Sequence, residues 1–290
     1  MTLRTLLMPL LLVTASLGHA ATPDWDAVEI KTTELGDGMY MLQGRGGNLG
    51  VSVGEDGIFL IDNDYAQLAP KIQAALKELS DSSVEYLANT HWHGDHAGGN
   101  EAFHAHGSRI VAHDNVRVRM GAEGPNQSPD TALPELTYSD NATLHFNGNE
   151  IRMLHVKNAH TDGDSVVHFT NQNIVHTGDV MFNGLFPFID LASGGSSAGY
   201  VDGLKFILNL TDENTRVIPG HGPLANRGDL VTSIAMLQEA RAAVRALVEA
   251  GKSLEETKAA KPLAKFDADY SWAFIDADVF TTILYTDLSR

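Results

Sequence analysis

The chain has 290 residues, 43% of them hydrophobic, with 27 glycines and 10 prolines scattered along it, enough for one sizeable buried core and unlike a disordered chain. Thirty-seven acidic residues against 20 basic ones give a formal net charge of −17, and with no Lys/Arg cluster this excludes a surface that tracks nucleic-acid phosphates. Cysteine is absent, so thiolate is excluded as nucleophile or metal ligand, and no disulfide framework is available.

The first twenty residues, MTLRTLLMPLLLVTASLGHA, place Arg4 before an apolar run at 6–13 and close on small residues ahead of Ala21. That order predicts a secretory signal peptide over 1–20 and a mature domain over 21–290, periplasmic or secreted. The apolar run is too short for a bilayer span, so no membrane association is expected after cleavage; an uncleaved anchor is the alternative. NLGVSVGEDGIFLIDND reads as two short strands around Gly54-Glu55-Asp56-Gly57, a hairpin ending at Asp62. APKIQAALKELS then changes period, with Ile72, Ala75, Leu76 and Leu79 on one helical face. VEYLANT predicts a strand that runs into NTHWHGDHAGGN.

Further strands are expected in IRMLHVK, SVVHFT and NIVHTGD, the last two joined by a turn at Asn171-Gln172-Asn173. A helix follows around 201–210, then a strand, TRVIPGHG, that ends in a Pro/Gly loop. Residues 229–250 keep apolar side chains at three- and four-residue steps, the pattern of a long amphipathic helix, and the tail reads as helical. Helices alternate with groups of strands and no Pro-, Ser- or Gly-rich linker divides them, so one layered α/β domain is expected.

Within NTHWHGDHAGGN, three histidines and an aspartate fall inside the six residues from His91 to His96. In an extended segment, residues i and i+2 leave the same side of the chain, so His91 and His93 are placed to grip one ion. Asp95 and His96, past the Gly94 turn, point toward a second. Imidazole and carboxylate without thiolate suit zinc, and iron or manganese less closely. Further ligands are sought where strands run into loops, and His160 in NAHTDGD, Asp179 in HTGDV and His221 in PGHG stand at such places.

The chain here resembles the metallo-β-lactamase-fold superfamily, whose His-x-His-x-Asp-His signature stands as HWHGDH, followed in order by AHTDGD, HTGDVMF and IPGHG and preceded by LIDND. The resemblance runs from about GMYMLQGRGGNLG onward and implies a four-layer αββα sandwich with the site on the rim between two sheets. It implies two zinc ions per chain: His91, His93 and His160 on one, Asp95, His96 and His221 on the other, Asp179 bridging. Asp62 resembles the superfamily's aspartate that orients ligands, its alternative being an ordinary turn carboxylate.

A metal-held hydroxide makes hydrolysis of a small molecule the leading reaction, at an ester, thioester, lactone, lactam or phosphodiester bond, with Asp95 also orienting the nucleophile or relaying a proton. Aspartate at 179 departs from the cysteine or serine of the familiar zinc β-lactamases, and MFNGLFPFIDLASGGSSAGY offers no Lys or Arg for a β-lactam carboxylate. A mononuclear-iron sulfur dioxygenase using His91, His160 and Asp179, and a metal-holding protein without catalysis, are the rival classes. Phe182, Leu185, Phe186, Pro187 and Phe188 read either as an aromatic wall beside the metals or as core filler. GRGGNLG around Arg45 reads either as a mobile flap over the site, with Arg45 meeting an anionic substrate, or as a tight glycine hairpin with an exposed Arg, and GAEGPNQSPDTALPEL as another rim. The strand histidines His145, His155, His168 and His176 are expected to be packed or paired.

Overall fold

The computed structural model describes residues 23–125 and 127–290; the expected signal peptide lies outside the described residues. One sheet carries seven strands side by side in chain order: β1 (Lys31–Gly36), β2 (Met39–Gln43), β3 (Leu49–Gly54), β4 (Gly57–Ile61), β5 (Val84–Ala88), β6 (Arg109–His113) and β7 (Leu136–Tyr138). β1 to β4 pair antiparallel, and β4 to β7 pair parallel. Parallel neighbours need crossovers, here supplied by α1 (Ala69–Leu79), the short α2 (Gly94–Ala97) and α3 (Asn100–His104), and α4 (Asp114–Gly121).

The second sheet holds β8 (Asn141–Phe146), β9 (Asn149–His155), β10 (Ser165–Phe169), β11 (Ile174–His176), β12 (Arg216–Ile218) and β13 (Ala225–Asn226), in the order β13-β12-β11-β10-β9-β8. β11 and β12 pair parallel across the crossover helix α5 (Ser197–Leu210). α6 (Arg227–Glu249), α7 (Leu254–Ala259), α8 (Ala264–Tyr270) and α9 (Ala277–Leu288) complete the chain.

Strand periodicity of two builds the layers. Phe59 and Ile61 of β4 meet Val167, Phe169 and Ile174 of the facing sheet, while Ile58 and Leu60 turn outward onto Ile72 and Leu76 of α1. Val166 and Val175 turn outward onto Leu204, Leu237 and Phe280 of α5, α6 and α9. Buried on both faces, these strands read as near-continuous apolar runs, and each fully buried Ile, Leu or Phe contributes about 1.5–3 kcal/mol. The result is the expected αββα sandwich.

Two helices begin earlier than their apolar periodicity shows, because polar caps set the start. Ser196 accepts from Gly199 N–H and starts α5 at Ser197; Asn226 and Asp229 form a reciprocal capping box that starts α6 at Arg227. The tail is three separate helices. Pro262 lies between α7 and α8, where it cannot continue a helix, and a loop at 271–276 separates α8 from α9.

Two of the parallel pairings position the site. Ile61 lies opposite Ala88, so β4 and β5 release Asp62 and the histidine cluster at one rim. His176 lies opposite Ile218, so β11 and β12 release Asp179 and His221 at the facing rim. The β9–β10 loop brings His160.

Candidate metal centre

All seven sequence-proposed ligands meet on that rim in two adjacent groups: His91, His93, His160 and Asp179, and then Asp95, His96 and His221, the ligand atoms of each within 4.8 Å of one another. In the first group, His93 Nδ1 lies 3.1 Å from His91 Nε2 and 2.8 Å from His160 Nε2. Asp179 Oδ2 lies 3.7 Å from His91 Nε2 and 3.5 Å from His160 Nε2. In the second, Asp95 Oδ2 and His96 Nε2 lie 3.4 and 3.3 Å from His221 Nε2. Asp179 Oδ1 lies 3.0 Å from His96 Nε2 and 3.4 Å from His221 Nε2. Tetrahedral bonds of about 2.0–2.1 Å put ligand atoms roughly 3.3 Å apart, the spacing found here.

The two oxygens of Asp179 are therefore divided between the groups. The residue is buried, and its Oδ1 accepts no hydrogen bond. Such an oxygen costs about 1–3 kcal/mol or more unless a cation compensates it. A cation at each group fits this donor set.

Neighbours fix the ring orientations. Asp62 Oδ2 lies 2.8 Å from His96 Nδ1 and accepts from Thr90 Oγ1, which in turn lies 3.1 Å from His91 Nδ1. Phe188 O accepts from His160 Nδ1 at 2.8 Å, and Asp190 Oδ2 from His93 Nε2 at 3.1 Å. Each of these partners holds a proton on the outer nitrogen and turns the inner lone pair toward the group. Asp190 is a residue sequence reasoning missed. Its other oxygen caps the turn Leu191–Ser193 by accepting from Ala192 and Ser193 N–H, a local signal that carries no hint of His93.

Electrostatics divide the groups. Burial, then the His96 ring, holds His91 well below the ordinary imidazole value, and burial takes His160 down to about 4. Both rings are neutral at pH 7. Burial also acts downward on His96 and His221, but Asp179 and Asp95 outweigh it, raising His96 well above its usual range and His221 to about 9. Burial opposes ionisation of Asp179, yet the His96, His221, His91 and His160 rings together hold it well below the carboxylate range.

The loop joining β2 and β3 is strapped onto the site. Asp64 accepts from Arg45 and Gly46 N–H, Gly47 N–H donates to Asp95 O, and Asn48 N–H donates to Gly220 O. A Cβ on Gly47 would run into the His96 ring, so the loop's closeness depends on that glycine. Arg45 itself is exposed, with its guanidinium 5.7 Å from the Trp25 ring centroid.

A cavity of about 890 Å³ opens onto the proposed ligands, lined also by Arg45, Tyr65, Phe182, Phe188, Trp272 and Phe274. The aromatic segment after Asp179 thus divides: Phe182 and Phe188 reach the cavity, whereas Phe186 is fully buried among Tyr270 and Phe280. Trp272 and Phe274 were not legible as site residues. Of GAEGPNQSPDTALPEL, Ala122, Glu123, Gly124, Pro125 and Gln127 line a separate depression with Trp92 and Arg119. His176 is buried and bonded to Asn48 O, and His155 stacks on His113 at 3.8 Å. His145, expected to be packed or paired, is exposed instead, because β8 is the sheet edge.

Two facing sheets with helices outside and a histidine–aspartate centre on their shared rim define a metallo-β-lactamase-type protein. The sequence profile of the metallo-beta-lactamase superfamily matches residues 45–221, and the chain belongs to that superfamily. A beta-lactamase-like protein 2 homolog of Drosophila melanogaster is 28% identical over 167 residues, 56% of this chain and 52% of its own length. The Caenorhabditis elegans homolog is 24% identical over 221 residues, 74% of this chain and 63% of its own. The chain thus spans between half and two thirds of these relatives. A metallo-beta-lactamase from Pontibacter korlensis superposes with a TM-score of 0.63 at 17% identity, over 72% of this chain and 99% of that one. The sec-alkyl sulfatase PisA1, as a double mutant, gives 0.72 at 16% identity, over 89% of this chain and 50% of that one. These structures share the fold.

Proposed function

We propose that this chain is a dinuclear zinc hydrolase of small molecules, acting in the periplasm or outside the cell. The observation that carries it is the divided Asp179 carboxylate, one oxygen facing each histidine group. When bound, two divalent cations supply Lewis acidity and bring the pKa of water toward neutrality. His91, His93 and His160 would hold one, Asp95, His96 and His221 the other, with Asp179 between.

The chain's own groups do the rest. Asp95 lines the cavity, and although burial opposes its ionisation, His96 and His221 hold it down to about 2. It is a carboxylate throughout the neutral range, placed to orient a nucleophile and take its proton. Among the described residues, Arg45 is the one Lys or Arg lining the cavity. The cavity therefore suits a neutral or singly charged ester, thioester, lactone or phosphodiester, and a β-lactam carboxylate would have no side-chain cation but Arg45 to meet it. The sec-alkyl sulfatase likeness adds sulfate esters to the bonds to assay.

The test is hydrolysis of a panel of these substrates by native, chelator-stripped and zinc-reloaded protein. At least one class is expected to be hydrolysed, to fall to background on stripping and to return with zinc. Hydrolysis that survives complete stripping, or oxygen uptake that returns only with ferrous iron, would contradict the proposal.

A further inference from the structure

Four aromatic rings form a continuous arc along one side of the cavity. Phe182 lies against His221 with ring centroids 4.7 Å apart, and Phe188 lies 5.8 Å from His160. Trp272 joins Phe182 at 6.0 Å, Phe274 joins Trp272 at 5.6 Å, and Phe188 closes the arc on Phe274 at 5.7 Å. Spacings of 4.5–7 Å are those of interacting rings. Trp272 and Phe274 belong to the loop between α8 and α9, outside residues 45–221 that match the superfamily profile.

The loop is built to present them. Trp272 Nε1 donates to Phe186 O at 3.0 Å, and Trp272 N–H donates to Ile275 O at 3.0 Å. Ile275 is buried at 1% exposure, whereas Phe274, next to it, is left 61% exposed at the cavity mouth. A fixed loop that packs Ile275 and leaves Phe274 in water keeps an apolar surface available. No charged side chain stands among the four rings; the carboxylates and guanidinium of the lining are those of Asp95, Asp179 and Arg45. A volume of about 890 Å³ is ample for a drug-sized ligand, given the usual range of about 300–1,000 Å³.

We infer that this aromatic arc is a subsite for an alkyl or aryl group of the substrate, with Phe274 the specificity-determining residue at its mouth. The inference rests on the reading that the substrate reacts at the metal ligands beneath it. A chain carried on the reacting carbonyl or phosphorus lies along the four rings, and its polar end faces the ligands. Each methylene so buried strengthens binding roughly fourfold.

The experiment compares octanoate with acetate, binding measured by calorimetry on both metal-free and zinc-loaded protein. Octanoate is expected to bind zinc-loaded protein about 100-fold or more tightly than acetate, as burial of several methylenes requires. Phe274→Ala is expected to cut that preference about tenfold and Phe274→Leu to retain most of it. Phe206→Ala, a part-exposed phenylalanine on α5 away from the cavity, should leave it intact. Zinc binding with the two acids bound alike, or a Phe274→Ala protein with undiminished preference, would overturn the subsite while leaving the hydrolase reading standing. Octanoate preference in a protein that takes up no zinc would uphold the subsite and overturn the hydrolase reading. Absence of preference in both forms overturns the subsite.

Discussion

Asp179→Ala is expected to lose at least one metal ion and most of the hydrolytic rate. Its Oδ2 faces His91 and His160, and its Oδ1 faces His96 and His221, so one truncation removes a ligand from each group. Changing residues that only orient ligands costs about 10–100-fold in metal affinity, and loss of a shared ligand should cost more than the upper end of that range. The second group should suffer more, since it keeps two imidazoles and one carboxylate where the first keeps three imidazoles. Asp179→Cys should retain zinc, because thiolate binds it well, but one sulfur favours one ion over two, and ester or thioester hydrolysis should fall. Zinc content by elemental analysis and rates on the substrate panel read both effects. An alanine variant with native zinc and native rates would reduce Asp179 to a turn residue.

Asp62→Ala should weaken both groups at once without removing a ligand. Asp62 is fully buried, its Oδ1 accepts from Thr90 N–H at 2.8 Å, and its Oδ2 accepts from Thr90 Oγ1 at 2.7 Å and from His96 Nδ1 at 2.8 Å. Through Thr90 it reaches His91 of the first group, and directly His96 of the second. Loss of that orientation predicts about 10–100-fold weaker zinc at each. The stranded Thr90 N–H and His96 Nδ1–H would each cost about 1–3 kcal/mol of stability. Asp62 also has a φ of 58°, a left-handed conformation that strains aspartate and alanine alike through the Cβ, so the lost hydrogen bonds dominate the stability change. Thermal unfolding of the metal-free variant and its zinc titration separate the two effects. Unchanged zinc affinity would show that Asp62 is structural only.

Much of this residue cluster was legible because the proposed ligands sit where strands stop. HWHGDH, HTGD and PGHG each follow an apolar run whose period marks a strand, and parallel neighbours carry those ends to one rim. Layering was legible for the same reason, since β4, β10 and β11 are apolar on both faces. What stayed hidden depends on contacts between residues distant in the chain. Asp190 reaches His93 across 97 residues, and nothing near FIDLAS marks it as more than a turn cap. The contact of Gly47 with the His96 ring exists only once the loop is strapped down by Asp64 and Asp95. Trp272 and Phe274 sit in a tail that reads as helix, and only the break between α8 and α9 turns them into the cavity. Of the two readings of GRGGNLG, the backbone takes the glycine hairpin: residues 44–48 join the antiparallel β2 and β3 with Arg45 exposed, and the loop is held over the site by Asp64.

Zinc titration of metal-stripped protein, followed by native mass spectrometry, tests the central claim most directly. The account predicts two zinc ions per chain with different pH dependence. His91 and His160 are already neutral at pH 7, so the first ion displaces no proton from these two rings; His96 and His221 have raised values, about 9 for His221, so the second must displace theirs. Its affinity should therefore climb by up to about tenfold per pH unit for each proton displaced as pH rises, with the His221 contribution levelling off above about 9. One iron per chain, or a single zinc equivalent at every pH, would contradict the account.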